Sequence, residues 1–217
     1  MISSLFPLSL ISFPHNTHPP IWSVMTSRIE PLLTVADLEA FPDDDGNRYE
    51  LIEGELFVST SPGLPHQIVS DNIVHLIRTY LDQHPIGIVV STVGLILSEY
   101  SGVIPDIVFF KNESVERIVT GERLTSAPEL VVEILSPGSQ NIRRDRVAKF
   151  QLYGKYRVPE YWLIDKENRA VEVYRLQNAK LHLVSILTGD DELTTPVLPG
   201  FSCAARLVFV VPPLFNK

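Results

Sequence analysis

Residues Leu130 to Leu135, LVVEIL, constrain this chain more than any other stretch. Strand-forming apolar residues occupy both alternating faces, so the strand is covered on both sides and lies inside a sheet. One residue breaks the pattern. Glu133 sits mid-strand, where an ionised carboxylate costs several kcal/mol unless it is paired, protonated or bound to a metal.

The surrounding pattern is mixed α/β. Thr34 to Phe41 opens with an N-cap threonine and an acid three residues on, which predicts a short helix. Arg48 to Ile52 and Glu55 to Thr60 read as strands joined by a tight turn at Glu53-Gly54. Apolar residues at helical spacing from His66 to His84 predict a long amphipathic helix. Gly87 to Leu97 and Val103 to Phe110 read as strands, broken near Gly94 and at Pro105. A helix is expected over Asn141 to Tyr156, then strands over Glu160 to Asp165, Ala170 to Leu176 and Leu181 to Leu187. No repeat or domain linker interrupts this order. It predicts a single domain, residues 25–217, built on a central mixed β-sheet flanked by helices.

Residues 1–24 differ from the rest. They contain no Lys, Arg, Asp or Glu and four of the 17 prolines. Lacking a positive n-region and a small-residue cleavage site, they read as a disordered leader or an over-extended start, not a secretory signal. No segment has the length and apolarity of a membrane span. The lone cysteine, Cys203, precludes an intrachain disulfide and fits a reducing cytoplasm. The net charge of −8 argues against a protein that coats nucleic acid indiscriminately. The basic residues are clustered, however. Arg143, Arg144, Arg146, Lys149, Lys155 and Arg157 fall in one short segment against a single acid, Asp145. That segment is either a solvated helix face or a phosphate-binding patch.

A second carboxylate resembles Glu133. Asp106 follows Pro105 and precedes the apolar run IVFF. Two such acids on neighbouring buried strands need compensation, by ion pairs, by a raised pKa, or by a shared divalent cation. Oxygen-only ligands favour Mg²⁺, Mn²⁺ or Ca²⁺ over zinc. Carboxylates with Mg²⁺ suit phosphodiester hydrolysis, where the metal activates water and offsets phosphate charge.

The order Pro105-Asp106, then VVEILSP over 131–137, then Asp145, Lys149 and Tyr153 on a basic helix resembles the PD-(D/E)xK nuclease superfamily. With YELIEGE over 49–55, His66-Gln67 and EYWLID over 160–165, the chain is similar to the Uma-type restriction-endonuclease family. The resemblance implies a restriction-endonuclease-like fold and a Mg²⁺- or Mn²⁺-dependent endonuclease acting on DNA, with RNA or branched DNA as other substrates. It implies that Asp106 and Glu133 hold the metal, that Glu50 assists, and that a homodimer forms. The superfamily places lysine two residues after the second acid, and here that residue is Leu135. Lys149 is the candidate to position the attacking water, as the narrower family places a lysine there. The alternative for Lys149 is an i, i+4 pair with Asp145. His66 is a candidate contact to phosphate or metal-bound water, and Arg143, Arg144 and Arg146 are candidate contacts to the nucleic-acid backbone. The acidic net charge and Leu135 also allow a second reading, a nucleic-acid-binding or regulatory module without turnover.

Overall fold

The computed structural model describes residues 32–211, apart from positions 39, 43, 44, 137, 139, 140 and 142. The leader expected over residues 1–24 lies outside the described residues. Those described belong to one compact unit that starts at Leu32. Among them no helix is long and apolar enough to cross a membrane.

Helix α1, Val35–Leu38, is a single turn. Asp37 Oδ2 accepts both the backbone N–H and the hydroxyl of Thr34 at 2.7 Å, which completes the expected cap. Strands β1, Asn47–Ile52, and β2, Glu55–Thr60, pair antiparallel with Ile52 opposite Glu55. The two residues between them, Glu53 and Gly54, have φ of 51° and 82°. Two successive positive φ values make a turn whose twist matches the hairpin, and glycine takes the second at no steric cost. Helix α2, Leu64–Leu81, follows with Pro65 in its first turn and buries Val69, Ile73, Ile77 and Leu81.

Strands β3, Gly87–Ser91, β4, Leu95–Ser98, β5, Ser101–Val103, and β6, Ile107–Lys111, come next. The polar excursion after β6 holds a one-turn helix α3, Val115–Ile118, and the short strands β7, Val119–Thr120, and β8, Arg123–Leu124. Strand β9, Leu130–Ile134, is buried at every position. The chain then runs as a π-helical turn, Arg144–Lys149, into α4, Phe150–Lys155. Strands β10, Glu160–Asp165, β11, Ala170–Gln177, and β12, Lys180–Thr188, form a meander, and a small hairpin of β13, Glu192–Thr194, and β14, Ser202–Ala204, follows.

The strands divide between two six-stranded sheets. One has the order β2-β1-β5-β4-β8-β7 and the other β12-β11-β10-β9-β6-β3. In the second, β9 and β10 are parallel and every other pairing is antiparallel. A parallel pair needs a crossover, and the segment carrying the π turn and α4 supplies it. Alternation along β9 separates two cores. Leu130, Val132 and Ile134 pack with the buried face of α2. Val131 faces the other way, into a core with Leu152, Tyr153 and Tyr161. Glu133 shares that second face, where it replaces an apolar residue.

Candidate active site

The local geometry that brings Asp106 to Glu133 is a matter of register. β6 and β9 pair antiparallel with Ile107 opposite Val132, so the next step along the ladder sets Asp106 against Glu133. Asp106 Oδ2 accepts the Ile134 N–H at 2.8 Å, which fixes the carboxylate at the end of β9. His66, in the first turn of α2, presents Nε2 at 3.2 Å from the same oxygen. Arg48 Nη1 lies 4.0 Å from Oδ1.

Glu50 comes from the other sheet. Its Oε1 accepts the Ile104 N–H at 2.8 Å, in the segment that leads to Asp106. Lys149 joins the two sheets: its Nζ stands 2.8 Å from Glu50 Oε1 and 2.9 Å from Glu133 Oε1. Tyr153, one turn further on, donates its hydroxyl to the same Glu133 oxygen at 2.5 Å. Arg144 lies 3.6 Å from Glu50 Oε2 and holds Asp145 through Nε at 2.7 Å. The π turn explains this arrangement. Its larger number of residues per turn brings residues five apart onto one side, so Arg144 and Lys149 both reach Glu50. In an α-helix, Lys149 would instead stand over Asp145, the i, i+4 pair; the structure gives Asp145 to Arg144.

Glu50, Asp106, Glu133, Arg48, His66, Arg144 and Lys149 all line one cavity of about 230 Å³. Except for Arg48, these side chains are buried. The start of α2 also opens onto it, through Pro62 and Gly63. No side chain caps that helix, so its N-terminal partial charge faces the cavity and favours an anion.

Burial sets the proton affinities. Burial pushes Glu133 up to about 8; the Lys149 ammonium opposes this, while Asp106, Asp145 and Glu50 reinforce it. With Lys149 and Tyr153 both donating to Oε1, the proton of a neutral Glu133 belongs on Oε2. Burial also acts to raise Asp106, but the His66 hydrogen bond, Lys149 and the Ile134 N–H outweigh it and hold Asp106 below its ordinary value. Burial raises Asp145, against the opposing pull of Lys149 and Arg144. Lys149 and Arg144 lose some proton affinity to burial, but their carboxylate neighbours more than restore it and both stay charged.

A count of charges follows. With Glu133 protonated and histidine counted as neutral, the carboxylates Glu50, Asp106 and Asp145 formally balance Arg48, Arg144 and Lys149. Exchange of that one proton for a divalent cation would leave a formal charge of one positive, the complement of a phosphodiester. The donor set fits Mg²⁺ or Mn²⁺, which need only one or two carboxylates when water and substrate phosphate complete the shell. It does not form an all-protein cage: among the described residues no three His, Cys, Asp or Glu side chains converge to hold a metal ion.

Not every expected residue reaches the cavity. Arg143 is exposed and pairs with Glu55 at 3.6 Å. Arg146 points to the opposite side of the turn, where it grips Glu172 through both terminal nitrogens at 2.8 and 3.0 Å. Neither lines the carboxylate cavity, and a carboxylate partner engages each. Arg48 was not among the candidates. Its signal was available, since strand alternation puts Arg48, Glu50 and Ile52 on one face.

Comparison with known proteins agrees with this fold. The sequence pattern of the Uma2 family, described as "Putative restriction endonuclease", matches residues 35–206. The crystal structure of a putative nuclease belonging to DUF820 from Anabaena variabilis superposes with a TM-score of 0.67 at 19% identity, over 82% of this chain and 97% of that one. At that identity the likeness is one of fold. No curated protein matches.

Proposed function

Since this chain belongs to the Uma2 family, we propose that it is a metal-dependent endonuclease that hydrolyses phosphodiester bonds of DNA. The observation that carries the reading is one cavity at the junction of two sheets that gathers Asp106, Glu133, Glu50 and Lys149 beside an uncapped helix N-terminus. Asp106 and Glu133 would hold Mg²⁺ or Mn²⁺. The bound metal would supply an activated water and offset charge on the phosphate. The protein's own groups do the rest. Lys149 has three protons to donate, and Glu50 and Glu133 engage two of them. The third is available to hold the attacking water or a phosphate oxygen. Glu50 keeps Lys149 in place, and Arg144 and the start of α2 add positive potential where negative charge develops. His66 fixes the orientation of Asp106 from the far side.

The test is nicking of supercoiled plasmid in Mg²⁺ or Mn²⁺, wild type against Asp106→Ala. Loss of nicking in the variant supports the assignment, and equal activity overturns it. Linear product in the same assay would indicate two cavities acting on one duplex, as in the expected homodimer.

A second reading, a nucleic-acid-binding module without turnover, draws on two observations. Among the described residues no third carboxylate or histidine converges with Asp106 and Glu133 to hold a metal ion, and Lys149 already pairs with Glu133. Calorimetry with Mn²⁺ separates the two: the module shows no heat that depends on Glu133.

A further inference from the structure

We propose that a second cavity, next to the carboxylate cavity, is a subsite for one unpaired nucleotide flanking the scissile phosphate. The inference rests on the endonuclease reading and names the form of substrate. The second cavity measures about 430 Å³, within the size range of small-ligand sites. Arg48 and Ile104 line both cavities, so they form a common wall that one ligand can span. Arg48 reaches toward Asp106 on one side and borders the second cavity on the other.

The lining calls for a flat aromatic group joined to an anion. Phe41 and Tyr49 form a ring pair with centroids 4.7 Å apart, and both are partly exposed along the cavity. Successive bases stack on such rings without regard to sequence. Arg123 stands at the opposite wall. It is exposed and, among the described residues, has no ion-pair partner, so its guanidinium is available to a phosphate. Its stem passes Gly94, where a Cβ would sit 3.7 Å from Arg123 Cγ. The absent side chain at Gly94 leaves that wall open. The nearby acid, Asp45, accepts from Asn47 and from the Tyr49 hydroxyl and forms no ion pair with Arg48 or Arg123. A base stacked and paired inside a duplex cannot enter such a cavity, whereas an unpaired one can. The cavity therefore selects single-stranded, flapped or locally opened nucleic acid.

The test is fluorescence anisotropy in chelator with the full chain. A labelled single-stranded oligonucleotide, as DNA and as RNA, is compared with a blunt DNA duplex of the same sequence. Two variants are added: Arg123→Ala, which removes an exposed side chain, and Gly94→Leu, whose Cβ meets only the Arg123 stem and whose side chain fills the cavity. Melting curves confirm that each variant folds. The wild type is expected to prefer a single strand of either polymer, and each variant to lose roughly ten-fold in single-strand affinity with duplex affinity unchanged. Equal or tighter duplex binding by wild type, or wild-type single-strand affinity in both folded variants, overturns the subsite. The outcome is independent of the nicking assay. A single-strand preference that Gly94→Leu abolishes, alongside nicking indifferent to Asp106→Ala, keeps the subsite and removes the nuclease assignment; the reverse pattern does the opposite.

Discussion

Two groups of buried acids lie in this molecule, one on β10 and β11 and one at the junction of the two sheets, and they are built differently. At one, Glu160 and Glu172 on β10 and β11 have arginine partners. Glu160 accepts from Trp162 Nε1 at 2.6 Å and from Arg175 Nε at 2.8 Å, one on each oxygen. Glu172 takes the bidentate fork of Arg146 and the Tyr174 hydroxyl. At the other, the four carboxylates Glu50, Asp106, Glu133 and Asp145 face three Arg and Lys cations, with His66 set against Asp106, and most of them line an open cavity. The first group is a finished set of ion pairs. The second is one proton away from neutrality, and burial places that proton on Glu133. A buried carboxylate on a strand therefore does not identify a site. An excess of carboxylates over Lys and Arg cations beside a cavity is the stronger mark.

The comparison breaks most visibly at the lysine. Lys149→Met removes the cation shared by Glu50 and Glu133, leaving Glu50 with Arg144 alone as its cation and the buried Glu133 with one donor fewer. A loss of about 3–5 kcal/mol is expected in chemical denaturation at pH 7, smaller at acid pH where the carboxylates protonate. Arg146→Met removes the corresponding cation of the other group, but that side chain is 35% exposed and solvent screens the loss. About 1–2 kcal/mol is expected there. Similar losses for the two variants would erase the distinction between the groups.

Next in size is the exchange of roles between Glu133→Gln and Glu160→Gln. The first should reduce nicking at least about a hundred-fold while the fold holds its stability, because burial already favours a neutral group at that position. The second should leave nicking intact and cost about 1–3 kcal/mol, since Arg175 is 30% exposed.

Proton linkage sharpens the same contrast. Glu133 is held above its ordinary 4.5, at about 8. The folded state therefore binds this proton more tightly than the unfolded chain, and the associated stability is complete below pH 4.5 and lost as pH rises to about 8. Relative to Glu133→Gln, metal-free wild type should melt at progressively lower temperature across that window. Mn²⁺ must displace the same proton, so its apparent affinity should rise about ten-fold per pH unit up to about 8 and level off above. Calorimetry across pH 6 to 9 reads this directly, and a flat profile in wild type would remove the shared proton from the account.

Much of this was legible before the structure. The unbroken apolar run around Glu133 and the turn residues Glu53-Gly54 placed the strands to within a residue or two, because apolar runs and a glycine between two strand patterns are local signals. Asp106 and Glu133 stood out because a charge among apolar strand neighbours needs a reason. Two things were not legible. The division of the strands into two sheets depends on non-local pairing, such as Leu51 with Gly102, that no single stretch encodes. The π turn has no sequence signature of its own, and it decides which basic residues face the cavity. A reading by composition treats Arg143, Arg144 and Arg146 as one patch. Residues one and two apart on a helical turn do not share a face, and the structure sends Arg144 to the cavity, Arg143 to solvent and Arg146 to Glu172.

That separation gives the smallest of the expected effects. Arg143 is 67% exposed and its partner Glu55 is 55% exposed, so their 3.6 Å contact is screened on both sides. Arg143→Ala should alter stability by less than about 0.5 kcal/mol and leave the nicking rate as in wild type. Arg144→Ala removes the only ion-pair partner that Asp145 has among the described residues and one of the two cations on Glu50, and should impair both folding and nicking. The two residues are adjacent and chemically identical, so composition predicts the same outcome for both. If Arg143→Ala slows nicking as much as Arg144→Ala does, the nucleic acid runs over Glu55 and the outer face of the hairpin, and the cavity is only the inner end of a longer site.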